Sequence, residues 1–359
     1  VTYVNHAGTS WPKPSAVLSA VNAANRRAPS SWAIAFEAEH ARVAAFFGTT
    51  PERLLLTPGC TSALAVAVAD VAWKPGDRAI CSSMEHHALT RPLAKLAARG
   101  VDVVEVERGA HGPIDLAAVE AELREGARLL AFCAASNVTG ERLPVRSLVE
   151  LGHRYGALVL VDAAQLVGWE PLDLSSLGAD LVAFGAHKAM HGVLGIGGLY
   201  VAPSVCLETP AAVCALPGAG APACAPRPGY CDVGSVDRAA LAAWAAACDW
   251  LEDPAQADRQ ERCRGYAERV AVALEERGHA VLGLRIPEAR LPTVAFAPTD
   301  PAGVAASFAA AGITVGAGLL CAPSAHNALR TPDGVVRISF GPSNTEEDVA
   351  AVLAALPAR

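Results

Sequence analysis

Seven short apolar runs recur along the chain up to residue 202, at 53–57, 78–83, 101–106, 129–134, 158–162, 181–184 and 197–202. Longer amphipathic stretches, such as 61–73 and 144–155, lie between them. Strands separated by helix-length stretches form a parallel sheet covered on both faces. The chain is therefore expected to be an α/β protein built on a mainly parallel seven-stranded sheet. Ligands of such sheets sit beyond the carboxyl ends of the strands, where Gly59, His86, Asn137, Asp162 and Lys188 fall.

Residues 203–235 break the pattern with six prolines, several glycines and no periodicity, and read as a long loop. Helices follow at 238–251 and 256–277. Strand and helix then alternate again at 293–296, 302–311, 335–340 and 345–356. A large domain over 14–240 and a smaller α+β domain from 1–13 and 241–359 are expected. The uncharged stretch 302–322 has the length of a membrane span, but Gly303, Gly312, Gly316 and Gly318 interrupt it. It reads as a helix, a stop at Gly312 and a strand.

Charged residues make up 18% of the chain and hydrophobic ones 52%, which excludes a disordered chain. With 29 basic against 36 acidic residues and a net charge of -7, nothing offers nucleic acid a basic footprint. No membrane partner is expected either. The ten cysteines contain no Cys-x-x-Cys pair, so structural zinc is not expected. Free thiols inside apolar runs (Cys133, Cys248) and the lack of a signal-peptide-like opening point to a reducing, cytoplasmic setting.

Only Lys13, Lys74, Lys95 and Lys188 are lysines. The first three sit beside prolines or on a helix face. Lys188 instead follows a buried strand, in Gly185-Ala186-His187-Lys188 ahead of the Gly-rich 192–198 turn, where desolvation frees an amine to capture an aldehyde. Asp162 ends an apolar strand and needs a cationic partner, which a pyridinium nitrogen supplies; a helix cap is its plainer role. Gly59-Cys60-Thr61 opens a helix directly after a strand, as a phosphate site does. His86, in Met84-Glu85-His86-His87-Ala88, is placed to stack on a ring.

These residues, with Thr9-Ser10-Trp11-Pro12-Lys13-Pro14, Ser136-Asn137-Val138-Thr139-Gly140, Val161-Asp162-Ala163-Ala164-Gln165 and Val336-Arg337-Ile338-Ser339-Phe340-Gly341, occur in an order that resembles fold-type I pyridoxal 5'-phosphate enzymes. The resemblance is to the class V aminotransferase group, and within it to cysteine desulfurases, over nearly the whole chain. It implies that Lys188 binds the cofactor aldehyde and shuttles protons, that Asp162 keeps the ring nitrogen protonated, and that His86 stacks on the ring. Asn137 and Gln165 would reach the ring oxygen. Cys60, Thr61 and His187 would bind the phosphate. Gly234-Ser235 resembles the segment with which a partner subunit completes that phosphate site, which implies a homodimer with Ser235 binding cofactor. Arg337 would clamp a substrate carboxylate, a task suited to a planar guanidinium, with Asn137 and His6 also on the substrate side. Cys321 stands where desulfurases carry the thiol that takes the sulfur as a persulfide.

The chain departs from the family pattern at Gly316 (usually arginine), Leu320 (histidine), Gly185 (serine or threonine), Asn5-His6-Ala7-Gly8 (Asp-Asn-Ala-Ala) and the 203–235 loop. Most of the cofactor set is kept, while the changes gather around the substrate. The expected activity is cleavage of the C–S bond of cysteine or an S-substituted cysteine, by transfer to Cys321 with release of alanine or by β-elimination to pyruvate, with a possible sulfur acceptor. Alternatives are an epimerase or aminotransferase of the same group, in which Cys321 is incidental, and a non-catalytic sulfur-relay or scaffold protein.

Overall fold

Each of the seven apolar runs forms a strand. The computed structural model describes residues 1–109, 112–205 and 236–358. Its strands are β1 (Thr2–Tyr3), β2 (Leu54–Thr57), β3 (Arg78–Ser82), β4 (Asp102–Val106), β5 (Leu129–Cys133), β6 (Leu158–Asp162), β7 (Leu181–Gly185), β8 (Gly197–Val201), β9 (Thr293–Phe296), β10 (Ile313–Thr314), β11 (Gly316–Gly318) and β12 (Val335–Ser339). The helices are α1 (Ser15–Asn25), α2 (Trp32–Phe46), α3 (Cys60–Ala69), α4 (His87–Ala97), α5 (Leu116–Arg124), α6 (Val145–Arg154), α7 (Leu174–Leu177), α8 (Arg238–Glu252), α9 (Arg259–Glu276), α10 (Pro301–Ala310), α11 (Pro323–Leu329) and α12 (Glu346–Ala355).

The large sheet has the order β2-β8-β7-β6-β5-β3-β4. β8 pairs antiparallel with both β7 and β2, and the other neighbouring strands of this sheet pair in parallel. Every residue of β2, β5 and β7 is buried, because both faces are covered; this is why those runs are apolar throughout. The chain lays β4 on one side of β3 and then returns to lay β5 on the other. That change of direction opens a crevice at the carboxyl ends of β3 and β5.

The later residues form the antiparallel sheet β11-β12-β9, and β10 pairs in parallel with β1. Helix α8, within which the expected boundary at 240 falls, packs on α1 and α2. One continuous core joins Phe132 and Phe184 of the large sheet to Phe296 and Ile338 of the small one. The 302–322 stretch resolves into α10, a left-handed turn at Gly312 (φ 74°), β10 and β11. Among the described residues no helix is long and apolar enough to cross a membrane. Most of the loop expected over 203–235, with Ser235 in it, lies outside the described residues.

Candidate active site

The strand ends converge on a cavity of about 450 Å³. The ends of β5, β6 and β7, the start of α3, β12 and the turn ahead of α11 all contribute to its lining. Asp162, Lys188, His86, Asn137, Gln165, His187, Cys60, Thr61, Arg337 and Cys321 all line it. Of the expected site residues within the described chain, only His6 does not. Its ring is buried against Tyr3 (5.1 Å between centroids), and its neighbours Ala7 and Gly8 face the cavity instead.

Asp162 is the last residue of β6 and is buried. Its Oδ1 accepts from the Ala164 amide (2.9 Å) and from the Cys60 thiol (3.4 Å). Burial, and then the Asp162 charge, push the Cys60 thiol far up, so Cys60 stays a neutral donor. Both of these bonds end on the same oxygen, which leaves Oδ2 to face another partner. Lys188 lies three residues beyond β7. Burial lowers its ammonium below the usual lysine range, with the Asp162 carboxylate the strongest opposing influence.

Helix α3 begins beneath Gly59 with no side-chain cap, so its first amides are open to an anion. Gly59 has φ 155° and ψ 176°, a region glycine adopts readily, and a Cβ on Gly197 would sit 2.8 Å from the Gly59 Cα. The two glycines let β8 and the turn approach closely enough to shape this cradle. Gly185 faces the same place. A Cβ there would meet the Cys60 amide at 3.6 Å, an ordinary contact, so the departure to glycine leaves space beside the cradle.

His86 caps α4, its Nδ1 accepting from the Ala88 amide (3.0 Å), which places the proton of the neutral ring on Nε2. Burial, then the Lys188 charge, holds it down to about 4, so it is neutral near pH 7. The cap and the cavity-facing role are therefore compatible in one residue.

Arg337, on β12, is only 4% exposed. Its Nη1 donates to the Asn137 carbonyl (2.5 Å) and its Nη2 to Asn5 Oδ1 (2.8 Å), while Nε has no partner among the described residues. Burial lowers its pKa to about 10. A buried guanidinium paired only with neutral groups, facing a cavity, has the charge and the geometry to receive a carboxylate. A Cβ on Gly316 would lie 3.0 Å from Asn5 Oδ1 and 3.2 Å from Arg337 Nη2, so the departure to glycine makes room for this pair.

Cys321 is exposed at the cavity wall. It and Leu320 both have left-handed backbone (φ 58° and 48°), and the Ala322 amide closes the turn on the Leu319 carbonyl (2.9 Å). Two such non-glycine residues in succession are strained, and outside bonds hold them. Asn137 Nδ2 donates to the Leu320 carbonyl (2.7 Å), and the His87 amide donates to the Cys321 carbonyl (2.8 Å). Asn137 thus braces the turn that carries the thiol. Gln165, expected at the ring oxygen, donates to the Ala7 carbonyl (3.1 Å).

Sequence reasoning passed over Lys13 and Glu85. The Lys13 Nζ donates to the His187 carbonyl (2.8 Å) and to Ser10 Oγ (2.7 Å). Burial lowers it to about 8. Glu85 is fully buried, and its Oε1 accepts from the Ser82 hydroxyl and the Cys133 amide (2.9 Å). The signal available for each was its place within a run that also carries site residues, Thr9–Pro14 and Met84–Ala88.

Burial is the largest influence on Glu85 and raises its carboxyl to about 8. An unfolded glutamate titrates near ~4.3, so the folded chain holds this proton over a pH range in which the unfolded chain has lost it. The stability this contributes is complete below about pH 4 and is lost as pH rises through about 8. Glu85→Gln is therefore expected to melt several degrees above wild type at pH 9 and to match it near pH 5. Melting curves that stay parallel over that range would contradict the assignment.

The aminotransferase class-V family model matches residues 14–352. A probable cysteine desulfurase of Pseudomonas aeruginosa is 32% identical over an alignment covering 99% of this chain and 93% of its own length. One from Methanothermobacter thermautotrophicus is also 32% identical, over a match that covers 46% of this chain and 41% of that protein. Among solved structures, the apo cysteine desulfurase of Thermococcus onnurineus superposes with a TM-score of 0.91 at 25% identity, covering 99% of this chain and 93% of that one. A cysteine desulfurase of Escherichia coli in its S-sulfonic acid form gives 0.86 at 26% identity, with the same coverage. The chain belongs to the aminotransferase class-V family and to its cysteine desulfurase-like branch.

Proposed function

We propose that the cavity holds pyridoxal 5'-phosphate and that the protein cleaves the C–S bond of cysteine or an S-substituted cysteine. Enzymes of this family and desulfurases in general use that cofactor. The observation that carries the reading is the convergence of a desolvated lysine, a carboxylate with one open oxygen, an uncapped helix start and a carboxylate-free buried arginine on one cavity. Each matches one group of the cofactor or of an amino-acid substrate, so the residues present fit.

When bound, the cofactor supplies an electron sink for the electrons of the broken Cα–H bond. The rest falls to the chain. Lys188 would hold the cofactor by its aldehyde, and its Nζ would then take the proton from the substrate Cα. Asp162 would keep the ring nitrogen protonated. The α3 amides, Thr61 and His187 would bind the phosphate, and His86 would cover the ring. Arg337 orients the substrate by its carboxylate.

In sulfur transfer, the Cys321 sulfur attacks the substrate sulfur. The C–S bond breaks with its electron pair left on Cβ, which takes a proton, an S–S bond forms and alanine leaves; the enzyme keeps a persulfide from cysteine, or a mixed disulfide from an S-substituted cysteine. In elimination, the substrate sulfur leaves as hydrogen sulfide or a thiol, and water completes the conversion to pyruvate and ammonia. The braced, exposed position of Cys321 favours transfer. Product analysis with cysteine on wild type and Cys321→Ala separates the two. Transfer predicts alanine from wild type and its loss in the variant; pyruvate formed equally by both proteins assigns the protein to elimination. A cytoplasmic homodimer with shared sites belongs to the same proposal, and the solution mass of the protein tests the dimer.

A further inference from the structure

The segment from Asn5 to Lys13 touches both working ends of the cavity. At one end lies the carbonyl oxygen of His187, within the peptide that joins His187 to Lys188. It has four donors within reach: the Ser10 amide (3.0 Å), Ser10 Oγ (3.1 Å), Thr9 Oγ1 (3.0 Å) and Lys13 Nζ (2.8 Å). A carbonyl oxygen has two lone pairs, so this is twice its ordinary complement. Thr9 Oγ1 is also 3.1 Å from His187 Nδ1. With Ser10 and Lys13 serving the carbonyl, the Thr9 hydroxyl can donate to Nδ1. The neutral ring then carries its proton on Nε2, ready to donate to an anion.

At the other end, Asn5 Oδ1 accepts from Arg337 Nη2 (2.8 Å). Asn5 itself is bridged to Ser339 on β12, and the Ala7 amide donates to Ser339 Oγ (2.9 Å). Tyr3 ties the two ends together, its hydroxyl donating to the Thr9 carbonyl (2.8 Å). One short segment therefore anchors both the peptide that bears Lys188 and the side chain of Arg337.

We infer that Asn5–Lys13 is a strap that sets the amine of Lys188 and the guanidinium of Arg337 in register, with Lys13 and Asn5 as its positioning residues. Lys13 acts through the His187 carbonyl on Lys188 and His187. Asn5 acts on Arg337 alone. The inference rests on the proposed use of this cavity, and the two fail in different ways.

Lys13→Met keeps the apolar stem and removes the ammonium, and Lys13→Arg is its conservative counterpart. Asn5→Asp keeps the acceptor but gives Arg337 an internal carboxylate. Lys13→Met is expected to weaken binding of pyridoxal phosphate to the apo-protein about tenfold, the scale of one hydrogen bond from a charged group, and to lower kcat with KM for cysteine little changed. Lys13→Arg restores part of both. Asn5→Asp is expected to raise KM about tenfold or more by competing with the substrate carboxylate, with cofactor affinity unchanged. Hydrogen exchange in the cofactor-free protein gives a readout independent of function: amides of residues 186–192 exchange faster in Lys13→Met. Unchanged exchange there overturns the strap, as does a pair of variants that alter only the melting temperature. Wild-type protein that binds no cofactor, with the exchange difference present, overturns the proposed function and leaves the strap standing.

Discussion

Lys188→Ala is expected to abolish turnover of cysteine and of every S-alkyl cysteine, by more than about a thousandfold, because in the proposed mechanism one residue is both the covalent anchor and the proton carrier. The loss is one of chemistry and not of folding. Desolvation lowers the Lys188 ammonium, so the folded chain gains nothing from that charge, and the variant is expected to melt no lower than the cofactor-free wild type. Stopped-assay product counts over many enzyme equivalents check this. Sustained multiple turnover by the variant would contradict the mechanism.

Arg337→Met is expected to reduce kcat/KM for cysteine by about a hundredfold or more, the cost of truncating one partner of a buried charge pair being roughly 2–5 kcal/mol. Most of that is expected in KM, since in the proposed role Arg337 holds the carboxylate in ground and transition states alike. Stability should move the other way or not at all. The guanidinium is buried and its pKa is lowered to about 10 by that burial, with only the Asn137 carbonyl and Asn5 Oδ1 as partners. A similarly shaped apolar side chain relieves that desolvation, so the melting temperature should be held or raised. A variant that loses stability and activity together would make Arg337 a structural residue. The predicted divergence is what marks a group retained for its ligand.

The fold was largely readable because the central strands of the large sheet are buried on both faces. An unbroken run such as Leu129–Cys133 declares itself without any partner in view. What stayed hidden was direction. Nothing in Gly197–Val201 says that it runs against β7 and β2, since an antiparallel strand covered on both faces carries the same apolar pattern. The 302–322 stretch was readable for the opposite reason, because Gly312 punctuates it.

The candidate site was readable where it sits at strand ends and unreadable where it depends on contacts between distant segments. Asp162, Lys188 and His86 follow directly from the positions of the strands. Lys13 was passed over because its local neighbours are prolines, while the carbonyl that holds it lies 174 positions away. His6 reads as a substrate residue, yet the register of Asn5 with Ser339 turns it toward Tyr3 and presents Ala7 and Gly8 to the cavity instead. The left-handed pair Leu320–Cys321 leaves no trace in sequence because neither residue is glycine. The conformation is imposed by Asn137 and by the His87 amide, which other parts of the chain supply.

The central claim is that Lys188 is the residue to which the cofactor binds. Protein loaded with pyridoxal phosphate, reduced with borohydride and digested, should carry the label on the single peptide that contains Lys188, and Lys188→Ala should carry none. Label on the peptide of Lys13, Lys74 or Lys95, or unlabelled wild-type protein, would contradict it.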